Sequence, residues 1–286
     1  MKILPRVSSI WLKKNYNFQM KRKALSELMS RRLHNIKKHS DRLPGAFDPE
    51  DIHDLRVEYK KTRAVTRLLQ LELLSQWERP GGGLPPRLKA LYHACGKVRD
   101  AQLFLKDLQT RNLAVGLPQT LTRWEQRLFA DKEKAVQAVE ALQFNKTLET
   151  ITGEMPRQLH DDTVAKFMQQ KVAAIHIILI AADDENDLHA IRKQLKDIIY
   201  VRRLYEQDWE IPFPANPWKS EKELNDLAST LGDFNDRCLA VSWLQSGYEE
   251  ACDAAEKDIL QGLYRDEFQQ KEKQKLLLLQ EVRGLS

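Results

Sequence analysis

The sequence predicts an all-α protein built as two pseudo-symmetric four-helix bundles from an internal duplication. Three observations carry that prediction. Glycine and proline are scarce, with 11 of each in 286 residues, and they cluster in a few places such as Arg79-Pro80-Gly81-Gly82-Gly83 and Pro212 to Pro217. Between the breaks run long stretches of Leu, Ala, Glu, Lys, Gln and Arg, the residues that lose least on entering a helix. No stretch shows the two-residue alternation of a strand. The third observation is a repeat.

His53-Asp54-Leu55-Arg56, followed by Lys60 and Arg67, recurs as His189-Ala190-Ile191-Arg192, followed by Lys196 and Arg203. Every pair is offset by 136 residues, and so are the blocks Gly96 to Asp100 and Gly232 to Asp236. Apolar positions keep the same register: Leu55 with Ile191, Leu68 with Leu204, Leu103 with Leu239, Leu108 with Leu244. Two blocks in one register point to a duplicated unit.

The first unit spans residues 18–152, with helices expected near 20–42, 49–76, 84–110 and 118–150. The second spans 157–283, with helices near 157–182, 186–208, 219–247 and 249–283. Asp48-Pro49-Glu50-Asp51 reads as a helix start: an N-cap aspartate, proline in the first turn and acids at the positive end of the dipole. The Pro/Gly breaks at 80–86 and 212–217 separate the second and third helices of each unit. Gly153 to Asp162 is the expected junction. The Lys271–Leu279 stretch closes the last helix against its bundle.

Cys95, Cys238 and Cys252 are odd in number and lack C-x-x-C spacing, so reduced, mostly buried thiols are expected rather than disulfides or a zinc site. Met1 to Lys14 is broken by Pro5 and holds no signal-like apolar stretch. The most apolar run, Val172 to Ala182, is interrupted by His176 and falls short of a bilayer span. A soluble cytoplasmic protein is the expectation, with no membrane partner.

A net charge of +5 conceals sharp polarity. Residues 20–42 carry eight basic and two acidic side chains, 53–67 five and two, and 189–203 five and one. The remainder is therefore acidic, and the local excess favours anionic partners. On a helical wheel His53, Arg56, Lys60, Arg63 and Arg67 fall within about 80° of circumference, a line roughly 20 Å long. Leu55, Val65 and Leu69 lie opposite. His189, Arg192, Lys196 and Arg203 repeat the stripe, backed by Ile191, Ile198 and Tyr205, while Ile199 replaces the counterpart of Arg63.

Solvated helix faces interleave Glu with Lys at i,i+4. These stripes hold no acid, since Asp54, Glu58 and Asp197 point elsewhere on the wheel. Stacked like charges repel unless an anion compensates them, which makes the stripe an anion-site candidate. The histidines can hydrogen-bond a phosphate oxygen, or serve as packed helix residues. Gly96 and Gly232 are expected to let helices approach closely, and Asp100 and Asp236 to pair with a stripe arginine and aim it.

These blocks together resemble the CHAD family, the conserved histidine α-helical domain, over about residues 18 to 283. His53 through Arg63 is a close match. The second block is looser, with Ile199 where the family often has Arg, although Tyr200 fits the aromatic that commonly follows. The resemblance implies two bundles facing across a basic, histidine-lined groove that binds inorganic polyphosphate. No Glu-x-Glu-x-Lys strand of a CYTH-type triphosphatase is present, so a stand-alone, non-catalytic binding module is expected, at polyphosphate granules if localised at all. No cofactor or metal is implied. Polyphosphate carries roughly one charge per unit and no bases to read, and Arg suits phosphate through bidentate contacts.

Three rivals remain open. His53-Asp54, with His34 or His39 before and Asp100 after, follows the ligand order of HD-type metal phosphohydrolases, although the repeat has Ala190 at the Asp54 position. Nucleic acid shares the phosphate charge, yet no aromatic lies within either stripe to stack on bases, and Tyr200 borders only the second. A helical adaptor taking an acidic protein segment is the third.

Overall fold

Asp48 caps the helix that carries the first histidine. Its carboxylate accepts the Glu50 N–H at 2.7 Å, Pro49 takes the first helical position, and Glu50 and Asp51 occupy the first turn. The helix carrying His189 starts with a reciprocal box: Asp184 accepts from the Asp187 N–H, and Asp187 accepts from the Asp184 N–H. Each histidine is thus placed one turn inside a firmly capped helix.

The computed structural model describes residues 20–76, 83–215 and 218–283. In order they form β1 (Met20–Lys21), α1 (Arg22–Ser40), α2 (Leu43–Ala46), α3 (Pro49–Ser75), α4 (Pro86–Thr110), α5 (Pro118–Glu140), α6 (Phe144–Gly153), β2 (Gln158–Leu159), α7 (Asp161–Ala181), α8 (Glu185–Arg203), α9 (Glu221–Glu250) and α10 (Ala254–Arg283). A π-helical turn, Leu204–Asp208, continues α8. The segment Met1 to Lys14 lies outside the described residues, as do parts of both predicted Pro/Gly breaks (80–82 and 216–217).

The all-helical class holds, with three local departures. The helix expected over 118–150 is two, α5 and α6, separated at residues 141–143. The helix expected from 157 begins at Asp161, because Met20–Lys21 pairs antiparallel with Gln158–Leu159 and draws the junction into a two-residue ladder. The π turn sends Asp208 back toward α1, where it meets Arg31 at 3.1 Å and also Arg32.

Helix α1 packs on α3, α3 on α4 and α4 on α5; then α7 on α8, α8 on α9 and α9 on α10. The halves meet where α3 lies against α7 and α8, and α4 against α9. Buried apolar residues do not divide at the junction. One cluster runs from Leu25 through Leu55, Leu91, Ile191 and Phe234 to Val282. A smaller one, built round Phe104, Trp124, Leu244 and Leu260, joins α4, α5, α9 and α10. Leu55, Val65 and Leu69, and Ile191, Ile198 and Tyr205, are all buried behind the stripes as the helical wheel requires. Burying such a side chain contributes about 1.5–3 kcal/mol, so the apolar backs fix the direction of the basic fronts.

Two further expectations change. Only Cys95 is buried, Cys238 is half-buried and Cys252 is exposed. The run ending at Ala182 belongs to α7, whose 21 residues are long and apolar enough by length and composition to cross a membrane. In this fold α7 buries Val164, Phe167, Met168, Ile175 and Leu179 and leaves Ile177 and Ile180 exposed.

Candidate anion-binding site

The contact of α3 with α8 merges the two stripes. Lys60 is the point of convergence. Burial first, then the charges of Arg56, Arg192, Lys196 and Arg63, push its ammonium down to about 7. Burial, Arg192 and Arg203 likewise lower Lys196. Among the described residues, none of Arg56, Lys60, Arg63, Arg192 and Lys196 has a carboxylate within 4.0 Å. The Nε atoms of Arg63 and Arg192 are buried without a hydrogen-bond partner. Like charges held this way carry an electrostatic cost that a bound anion would remove.

Aromatic side chains and glycine seat the arginines. Arg56 Nη1 donates to the Tyr92 carbonyl at 3.4 Å, and its guanidinium lies 4.8 Å from the Tyr92 ring centroid. Tyr92 stacks on Tyr59 at 4.1 Å and 14°, and Arg63 lies 5.9 Å from the Tyr92 ring. A β-carbon at Gly96 would collide with Arg56 Nη1, and one at Gly232 would stand 3.2 Å from Arg192 Nη2. The glycines therefore make room for guanidinium groups, a different close approach from the helix–helix contact expected of them. Asp100 and Asp236 also depart from expectation. Neither forms an ion pair within 4.0 Å with Arg56 or Arg192. Burial raises Asp100 against the pull of Arg56, and Asp236 raises it further. Burial raises Asp236 against its Asn235 hydrogen bond and the charge of Arg192. Lys60 pulls on both acids. They act on the cations through space rather than by direct clamping.

Three stripe residues stand apart. Arg67 donates to Asp197 Oδ2 at 2.6 Å, and this carboxylate, 1% exposed, also accepts from Lys171 at 2.8 Å. Asp197 thus does not point away from the stripes; it neutralises one arginine from the neighbouring helix. Arg203 donates to Glu221 at 2.9 Å and Asn225 at 3.0 Å. A helical wheel of one helix contains no information about acids on another, which is why both pairings were missed. His53 is exposed and contributes nothing to the lining of the cleft described next, whereas His189 is half-buried and lines it. Burial, Lys193 and Arg192 lower the His189 imidazole, and its Nδ1 is buried without a partner.

The cleft has a volume of about 690 Å³ and is lined by Arg56, Arg63 and Arg67 of α3, by Lys89, His93 and Lys97 of α4, and by His189 and Lys193 of α8. Asp100 is the one acid in that lining. Lys89, His93, Lys97 and Lys193 were not anticipated, although the i, i+4, i+8 spacing of the first three marked a helix face. No aromatic lies within either stripe, but Tyr92 lines the cleft from α4, an aromatic that reading along the stripes could not supply; Tyr200 is 7% exposed and offers no stacking face. The HD-type ligand set is not assembled. Asp54 approaches His39 at 4.0 Å while His53 faces solvent, and the sole close group of potential metal ligands among the described residues is Asp183, Asp184 and Asp187.

Fold and site define a helical-bundle protein with a cation-rich cleft where its halves meet. The CHAD domain family model matches residues 27–245, and the chain belongs to the CHAD family. Two solved structures share the fold. The CHAD domain from the plant Ricinus communis superposes with a TM-score of 0.71 at 18% identity, covering 93% of this chain and 91% of that one. PptA from Streptomyces chartreusis gives 0.62 at 13% identity, covering 92% and 99%. No curated protein matches the sequence.

Proposed function

We propose that this chain binds inorganic polyphosphate, without hydrolysing it, where α3 and α8 meet. One observation carries the reading: Arg56, Lys60, Arg63, Arg192 and Lys196 converge with no carboxylate in ion-pair range among the described residues. The CHAD family's association with polyphosphate supports it. A linear chain of phosphates presents charge continuously and needs no recognition beyond guanidinium and ammonium donors.

Nucleic acid is the second reading, favoured by Tyr92 in the cleft lining. Against it, the ring is already engaged by Tyr59 and Arg56, which leaves it poorly placed to receive a base. The test is a titration at fixed salt with long-chain polyphosphate, orthophosphate, triphosphate and single-stranded DNA. Long polyphosphate is expected to bind best. Equal or tighter binding of DNA would favour the nucleic-acid reading.

A further inference from the structure

We propose that Lys89, His93 and Lys97 of α4, with Lys193 of α8, form a second anion-binding wall facing the α3 arginines, so that polyphosphate is held between two rows of cations on the α4 side only. This rests on the polyphosphate reading and adds to it a location and a direction.

Lys89, His93 and Lys97 are exposed and lie four residues apart, which puts them on one helix face. All three line, from α4, the cleft that Arg56 and Arg63 line from α3. His93 feels both rows: burial lowers its imidazole, followed by Lys89, Arg56, Arg63 and Lys97. Lys193 closes the row from α8 beside His189, which in turn feels Arg63. Among the described residues the three lysines have no carboxylate within 4.0 Å, unlike Arg67 and Arg203.

The second half lacks this wall. At the 136-residue offset the counterparts of Lys89, His93 and Lys97 are Asn225, Ser229 and Asp233. Asn225 is occupied by Arg203, and Asp233 lines a neighbouring cleft that shares Asp100 and sets Asp100, Asp107, Asp233, Asp236 and Glu267 against two cations, Arg111 and Arg237, both paired with Glu267. An anion leaving the central cations toward α9 and the C-terminal part of α4 would meet this acidic cleft, while one running along the N-terminal part of α4 meets Lys97, His93 and Lys89. The repeated stripes therefore do not imply a symmetric path.

The experiment compares wild type with a wall variant, Lys89→Ser, His93→Gln, Lys97→Ser and Lys193→Ser, and with a control, Lys106→Ser, Lys257→Ser and Lys273→Ser, that removes as many lysines from elsewhere on the surface. Long-chain polyphosphate is titrated against each across a salt series. The wall variant should lose about tenfold or more in affinity at 0.15 M salt, and the slope of log K against log salt should fall by about 2, as for three lost phosphate contacts. The control should stay within about twofold. Wild-type affinity and slope in the wall variant, or an equal loss in the control, overturns the wall while leaving the polyphosphate reading intact. Absence of binding by wild type overturns both.

Discussion

The guanidinium of Arg56 occupies the space that a β-carbon on Gly96 would need. A residue on one helix is small because a cation on another must pass over it on its way to the cleft. Gly232 does the same for Arg192, with more room to spare.

Gly96→Ala should therefore separate stability from binding. Alanine gains about 1 kcal/mol of helix propensity, which offsets the displacement of a side chain that can swing outward. We expect a melting temperature within a few degrees of wild type, with polyphosphate affinity reduced about three- to tenfold. Gly232→Ala should lose less. Unchanged affinity in the Gly96→Ala protein would show that Arg56 does not need its seat.

Lys60 should be a liability to the free fold. Its folded-state pKa of about 7 lies below the ordinary lysine value of 10.5, so between these the unfolded chain binds more protons and stability rises with pH. Below about 7 the destabilisation is fully present. Lys60→Met should raise stability at neutral pH by on the order of 2 kcal/mol, flatten that pH dependence, and weaken polyphosphate binding. Chemical denaturation at several pH values reads the first two effects. A destabilised Lys60→Met protein would contradict the account.

Binding should strengthen as pH falls. A polyanion favours the charged forms of Lys60, His93 and His189, all depressed in the free protein, so binding takes up protons. Affinity at pH 6 should exceed that at pH 8, and calorimetry in buffers of different ionisation enthalpy should register proton uptake near pH 7. A pH-independent constant would refute the coupling.

The stripe residues should divide into two groups. Arg56→Ala alone should weaken binding modestly, because a flexible polyanion slides to neighbouring donors. Arg56→Ala with Lys60→Ala, Arg192→Ala and Lys196→Ala should nearly abolish it, each charge-assisted contact being worth about 1.5–3 kcal/mol at most. Asp197→Asn should act on stability instead, costing about 2–3 kcal/mol after allowance for the partial exposure of Arg67. A quadruple variant that folds and binds normally would remove the central site from consideration.

No hydrolysis of polyphosphate or nucleotide is expected from purified protein supplied with divalent metal. Activity that survives rigorous purification and vanishes in Asp54→Ala would restore the HD-type reading.

Helical class, the capped start of α3, and the orientation of both stripes were legible in the sequence because they depend on local chemistry. Asp48-Pro49 caps whatever follows it, and a 100° turn per residue places Leu55 opposite His53 wherever the helix goes. The break between α5 and α6 was not legible: neither glycine nor proline occurs at residues 141–143. The start of α7 was hidden too, since it depends on a ladder to Met20, more than a hundred residues earlier.

For the site, the sequence alone determined which residues are cationic and which helix face each one takes. Tertiary structure decided which of them are paired. Arg56 and Arg67 share a stripe, but α8 brings Asp197 to Arg67 and sets only cations beside Lys60. His53 and His189 share a motif, yet one is exposed and the other lines the cleft. Charge and periodicity belong to a single helix, whereas neutralisation, burial and the sharing of a cleft depend on distances between helices, and those are set only when the apolar backs of α3, α4 and α8 pack together.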